Sequence, residues 1–190
     1  MPISRKIMGV SRGVAAVSKK AIFGYGTTGT KVAMTNLVSN IGVVAADSTG
    51  VGTARDGLAA AGYGNDKAIF GYGNTGVNSS LTNLVSNAGV VAADTTGVGT
   101  ARTNLAAAGY GNDKAIFGYG QSYSITNLVS NVGVVATNVT GVGTARGYLA
   151  AAGYGTDKAI FGYGFTSPYL AMTNLVSNVG VVATDVTGVG

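Results

Sequence analysis

The stretch KAIFGYGNTGVNSSLTNLVSNAGVVAADTTGVGTAR, residues 67–102, decides the fold, because most of the 190-residue chain consists of near-copies of it. The segment AIFGYG begins at positions 21, 68, 115 and 159, so the copies are spaced by 47, 47 and 44 residues. A fixed period of this length is typical of propellers and solenoids, in which each repeat is one supersecondary unit.

Each repeat contains four short apolar runs separated by turn residues. In the second copy the runs are LAAAGYG (58–64), KAIFGYG (67–73), LTNLVSN (81–87) and VVAADTT (90–96). Such runs are too short for helices, and the 32 glycines of the chain would weaken any helix. The first two runs are joined by Asn65-Asp66, which suits a tight hairpin. The pattern predicts an all-β chain of four-stranded antiparallel blades, which must stack to bury both of their faces.

The order of these segments resembles the kelch (galactose-oxidase-type) propeller repeat over nearly the whole chain. In both, an arginine precedes the first strand and an aromatic-rich second strand ends in glycines. This chain has GYG where that family has Gly-Gly, and it contains no tryptophan. The resemblance implies a β-propeller, with a β-solenoid as the alternative. The predicted blades span about 13–55, 56–102, 103–146 and 147–190.

Residues 1–12 form a separate N-terminal segment whose end matches the end of a repeat. Residues 8–12 align with 51–55, and the sequence stops inside ThrGlyValGly, before the expected ThrAlaArg. We therefore expect residues 1–12 to complete the last blade or to dock on a partner. Closure within one chain, closure between copies and a fragment of a longer array all remain open.

The opening MPISRKIMG resembles the start of structural proteins of marine, particularly cyanobacterial, tailed phages. That resemblance implies a virion or extracellular location and a role in a tail fibre or another appendage. The expected partners are copies of the chain in a homo-oligomer, other virion proteins, or a glycan or cell-surface receptor.

The composition disfavours several classes of function. The chain has no histidine, cysteine or glutamate, so catalysis, a thiolate metal site and a cofactor are not expected. The net charge is +5: the segment before Asp47 carries six cations and no acid, and the rest of the chain has a net charge of −1. No nucleic-acid-binding motif accompanies this charge, so nucleic acid is not an expected partner. No 18-residue apolar run occurs, so no membrane span is expected.

The segment after FGYG differs between copies, whereas the sequence around it is nearly invariant. These variable loops are residues 27–34, 74–81, 121–125 and 165–172. A constant framework that carries one diversified loop is typical of a recognition surface, although unselected loops also drift. The candidate ligand- or partner-binding residues are Lys31, Asn78, Ser79, Gln121, Tyr123, Phe165 and Tyr169.

Two further residue types recur once per blade, and both are predicted to be structural. The arginines are expected to bond carbonyl groups of a neighbouring blade, the alternative being a ring that holds an anion. The phenylalanines are expected in the core between blades. The residues are Arg12, Arg55, Arg102 and Arg146, and Phe23, Phe70, Phe117 and Phe161.

An aspartate also recurs, at Asp47, Asp94 and Asp185, and the third copy has Asn138 in its place. One aspartate per repeat without a D-x-D pattern does not indicate a calcium site, which needs several convergent oxygen ligands. No metal is therefore predicted.

Overall fold

The computed structural model describes residues 20–188. Within that range the regular elements are all β-strands, so the all-β prediction is confirmed. The strands are β1 (Ala21–Thr27), β2 (Lys31–Val38), β3 (Ala59–Tyr63), β4 (Lys67–Gly71), β5 (Thr82–Val85), β6 (Ala106–Tyr110), β7 (Lys114–Gly118), β8 (Thr126–Val129), β9 (Ala150–Tyr154), β10 (Lys158–Gly162) and β11 (Thr173–Val176).

The strands form one small antiparallel sheet per repeat. We number the repeats 1 to 4, with the boundaries predicted for the blades. Repeats 2, 3 and 4 each contain a three-stranded sheet in which the KAIFG strand is central, in the orders β3-β4-β5, β6-β7-β8 and β9-β10-β11. The described part of repeat 1 contains the pair β1-β2. The predicted first run of repeat 1, residues 14–17, lies outside the described residues.

The first two strands of each three-stranded sheet form a hairpin. Tyr63 pairs with Lys67 across the turn. Gly64 and Asn65 both have left-handed backbone conformations, with φ of 58° and 69°. Glycine and asparagine tolerate this conformation better than other residues, which explains why the turn forms at this point in the sequence.

The fourth apolar run is not a full strand, which corrects the prediction of four strands per repeat. In repeat 2 it pairs with β5 only at the isolated bridges Val85–Val91 and Thr82–Thr95. The register shifts by one residue between these two bridges, as in a β-bulge. The Asn83 side chain donates a hydrogen bond to the Ala92 carbonyl at 3.0 Å within the irregular stretch. The fourth run is thus held partly by a side chain.

Consecutive sheets stack on one another through their first strands, β3 on β6 and β6 on β9. The contact is close because these strands are built from alanine and glycine. The Gly62 carbonyl oxygen lies 3.5 Å from the position that a Cβ atom would occupy at Gly109. The Gly109 carbonyl oxygen lies at the same distance from the corresponding position at Gly153. Larger side chains at these positions would separate the sheets.

The apolar core is divided among the interfaces between repeats. One cluster combines Ile69 and Tyr72 of repeat 2 with Phe117 and Val129 of repeat 3. A second cluster joins repeats 3 and 4, and a third joins repeats 1 and 2. The sheets of repeats 2 and 3 therefore each contribute to two cores, as expected for stacked repeats that cannot bury their faces alone.

Candidate functional site: the inter-repeat interface and the variable loops

An aromatic contact recurs at each described interface between repeats. The Phe117 ring of repeat 3 lies against Gly71 and meets Tyr72 of repeat 2 edge-on, with ring centroids 5.2 Å apart and planes at 66°. A Cβ atom at Gly71 would lie 2.6 Å from the Phe117 Cζ atom, so only glycine leaves room for the ring. Phe70 with Tyr25, and Phe161 with Tyr119, repeat the arrangement.

The tyrosine of GYG enters this contact through an unusual backbone conformation. Tyr72 has φ of 65°, in the left-handed region that bulky residues rarely adopt. Its ring is fully buried, and its hydroxyl donates a hydrogen bond to the Val98 carbonyl at 3.1 Å. Burial raises the pKa of the equivalent Tyr119 to about 12, although the nearby Arg146 charge opposes the shift.

Each recurrent arginine within the described residues bridges two repeats. The Arg55 guanidinium lies 4.3 Å from the centroid of the Tyr25 ring in repeat 1. Its Nε donates to the Tyr72 carbonyl of repeat 2 at 2.9 Å, so the guanidinium contacts a carbonyl group of the neighbouring repeat. Its Nη2 donates to Asn83 Oδ1 at 2.6 Å. Arg55, Arg102 and Arg146 are completely buried, whereas Arg12 lies outside the described residues.

The recurrent aspartate completes a polar network around the arginine. The Asp94 carboxylate accepts hydrogen bonds from Thr53 N at 2.9 Å, Thr53 Oγ1 at 2.6 Å and Asn83 Nδ2 at 2.9 Å. Its Oδ1 lies 3.7 Å from Arg55 Nη1. Burial alone would raise the pKa of Asp94, but the hydrogen bonds from Thr53 and Asn83 outweigh it and lower that pKa. Asp185 in repeat 4 has the same pattern.

Repeat 3 departs from this network because Asn138 replaces the aspartate. Asn138 Oδ1 accepts from Thr100 N at 3.1 Å and from Asn127 Nδ2 at 3.1 Å, but it carries no charge to pair with Arg102. Within residues 20–188, Arg102 Nη2 and Asn127 Oδ1 are the two buried side-chain polar atoms without a hydrogen-bond partner. Burial lowers the pKa of Arg102. The third repeat therefore contains a buried cation that is incompletely compensated.

The four variable loops lie next to one another along one edge of the stack. Lys31 Nζ contacts Asp56 Oδ1 at 2.7 Å, and Asp56 forms a bridge with Asn74 in the second loop. Asn78 Nδ2 donates to Gln121 Oε1 of the third loop at 2.8 Å. Gly147 packs on the Gln121 backbone and forms a bridge with Phe165 of the fourth loop. The structure thus brings the candidate binding loops together.

The candidate binding side chains differ in accessibility. Ser79 is only 8% exposed, and its Oγ accepts a hydrogen bond from the Leu81 amide of its own loop, so its contact with a ligand or partner stays a prediction. Lys31, Asn78 and Gln121 bond residues of neighbouring repeats. The aromatic members, Tyr123, Phe165 and Tyr169, remain exposed.

The fourth loop presents the largest exposed aromatic surface among the candidate residues. Tyr169 is 83% exposed, and its ring packs on Phe165 with centroids 4.9 Å apart. A paired aromatic surface of this kind offers apolar area with little conformational entropy to lose on binding.

One predicted core residue lies elsewhere. Phe70, Phe117 and Phe161 are buried between repeats, but Phe23 is 64% exposed. Phe23 therefore belongs to no core between the described repeats, and its place between blades stays a prediction. The physical reason is that the other three rings pack on the preceding repeat, and no described sheet precedes β1.

The described residues hold no group of three acidic, histidine or cysteine side chains that is suited to a metal ion. Over the same residues, no helix is long and apolar enough to cross a membrane. Comparison of the chain with protein-family models gives no match, and comparison with curated proteins gives none either.

Proposed function

We propose that this chain is a non-catalytic structural repeat protein of a phage virion or appendage, and that it assembles through the faces of its repeats. The observation that carries the proposal is the recurrent interface, in which phenylalanine, glycine, tyrosine and arginine occupy the same places at each described junction. An interface that recurs from one repeat to the next suits a component that assembles by stacking.

The finer architecture that we propose is a kelch-like β-propeller, with a β-solenoid as the alternative. The antiparallel order of segments in each repeat supports a blade, and so does the packing of each first strand on the next first strand. A cryo-EM map of the assembled particle tests this proposal. Blades arranged around a common axis would support the propeller, and a straight or helical stack would support the solenoid.

Assembly is tested by light scattering over a wide range of protein concentration. We expect particle masses of two or more times the 18.7 kDa mass of one chain. A monomer at every concentration would contradict self-assembly. Immunogold labelling of phage particles with an antibody against the chain tests the virion location, and labelling of tail fibres or other appendages is the expected result.

A second candidate function is binding of a glycan or cell-surface receptor through the variable loops. The exposed Phe165–Tyr169 pair favours it, because aromatic faces stack on sugar rings. A glycan array tests it with the wild type and with Tyr123→Ala, Phe165→Ala and Tyr169→Ala. Val77→Ala, at an exposed position of the second loop, is the matched control and should not alter binding.

A further inference from the structure

The two ends of the described stack expose complementary halves of the recurrent aromatic contact. At the repeat 1 end, Phe23 is 64% exposed, whereas Phe117 and Phe161 are fully buried. At the repeat 4 end, Tyr163 is 54% exposed, whereas the equivalent Tyr119 is fully buried. One end thus presents the phenylalanine and the other presents its tyrosine.

The surface beside Tyr163 retains the space that a phenylalanine ring needs. A Cβ atom at Gly118 would lie 2.5 Å from the Phe161 Cζ atom, because that ring lies directly on the glycine. A Cβ atom at the equivalent Gly162 would meet only the Thr173 methyl group of its own repeat, at 3.6 Å. The surface formed by Gly162 and Tyr163 therefore has the same sequence as the Gly118 and Tyr119 surface on which Phe161 packs. It is accessible in this structure.

A second internal contact also has matching halves at the two ends. The turn at Gly180 packs on Leu128 and Tyr110 of the preceding repeat. The equivalent leucine and tyrosine of repeat 4, Leu175 and Tyr154, are exposed and line a groove of about 300 Å³.

At the other end of the stack, Gly42 occupies the same turn position in repeat 1. Its backbone has φ of 82°, close to the 83° of Gly180. A Cβ atom there would meet no atom of residues 20–188 within 4 Å. The Gly42 turn is therefore accessible for packing into a groove like the one formed by Leu175 and Tyr154.

The two ends of one chain do not pack on each other through Phe23 and Tyr163, because both side chains are exposed in the same molecule. We propose that the repeat 1 end of one copy docks on the repeat 4 end of a second copy in the register of the internal repeats. Phe23 then lies on Gly162 and edge-on to Tyr163, and the Gly42 turn enters the groove beside Leu175.

This contact is heterologous, since different surfaces of the two copies meet. Such a contact produces a ring where the rotation closes and a filament where it does not. The proposal rests on the proposed assembly function and names its partner surface.

The test uses two variants of the 190-residue chain, one for each end. Phe23→Ala removes an exposed ring, and Gly162→Ala adds a methyl group that its own repeat accommodates but that would contact a docked ring. We expect each variant to keep the wild-type circular dichroism and melting temperature and to weaken assembly at least tenfold by light scattering. Val77→Ala is the control and should assemble like the wild type.

Mixing the two variants gives a sharper result. The Phe23→Ala copy retains an intact Gly162 surface, and the Gly162→Ala copy retains Phe23. One productive contact therefore remains, and we expect a dimer of twice 18.7 kDa that grows no further.

The outcomes separate the docking proposal from the proposed function. If wild type and both variants assemble equally well, the docking proposal is wrong and self-assembly stands. If the wild type is monomeric at every concentration, both are wrong. If the variants are monomeric but the mixture does not form the dimer, the proposed pairing of the two ends is wrong.

Discussion

Replacing Asn138 by aspartate should stabilise the protein. In repeats 2 and 4 the residue at this position is an aspartate that lies near a buried arginine, with Asp94 Oδ1 3.7 Å from Arg55 Nη1. In repeat 3 this residue is the neutral Asn138, and Arg102 Nη2 and Asn127 Oδ1, whose counterparts bond each other in repeats 2 and 4, have no hydrogen-bond partner. A carboxylate would supply a negative charge facing Arg102 and would accept the Thr100 amide more strongly.

The expected gain in the free energy of unfolding follows from the strength of the hydrogen bonds that a carboxylate at position 138 would accept. A hydrogen bond to a charged group contributes about 1.5–3 kcal/mol, compared with about 0.5–1.5 kcal/mol for a bond between neutral groups. The carboxylates of Asp94 and Asp185 are about a quarter exposed, at 24% and 27%, and solvent screening reduces their contribution. We therefore expect Asn138→Asp to raise the free energy of unfolding by about 1–2 kcal/mol at neutral pH.

Guanidinium chloride unfolding of wild type and Asn138→Asp, at pH 7 and near pH 2.5, measures this gain and its pH dependence. The new carboxyl should share the lowered pKa of Asp94 and Asp185. Its contribution is then present above the unfolded-state pKa of about 3.9 and is lost as the pH falls through the lower folded-state value. Asp185→Asn is the reciprocal control and should destabilise repeat 4. No gain at pH 7, or the same gain at both pH values, would refute this reasoning.

Three further perturbations test the recurrent interface. Gly118→Ala should destabilise the protein by about 1–3 kcal/mol in denaturant unfolding, because its methyl group meets the Phe161 ring, while Gly162→Ala should cost less than about 0.5 kcal/mol. Raising the pH from 10 to 12 should remove about 2 kcal/mol of unfolding free energy, because the unfolded tyrosine ionises near 10 and folded Tyr119 near 12. Tyr119→Phe should reduce this alkaline loss, and an unchanged pH profile would contradict the assignment. Arg146→Lys should lower the melting temperature, because lysine lacks the fork that bonds both the Tyr163 carbonyl and Asn174.

Local signals in the sequence predicted the strands and hairpins correctly. The turn at Asn65 follows from residues that tolerate left-handed backbone, and it requires no knowledge of distant parts of the chain. The fourth run was harder to predict, because its bridges depend on a register shift held by the Asn83 side chain.

The candidate site was predictable to a similar extent. Variation between copies located the loops, but the burial of Ser79 depends on how its loop packs. The recurrent arginine and aspartate were visible as separate residues. Their shared network was not, because it joins Thr53 to Asp94 across 41 positions. The replacement of the recurrent aspartate by Asn138 was the sequence signal that could have pointed to this network.

The division of the core among the interfaces has a consequence for how such a chain changes length. Because each described junction uses the same aromatic contact, inserting or deleting one whole period would rejoin surfaces that already fit. Recombination between the near-identical copies in the gene would then yield chains with more or fewer units that still fold. The difference between spacings of 47 and 44 residues lies in the loops at the edge, where the stacking surfaces are unaffected.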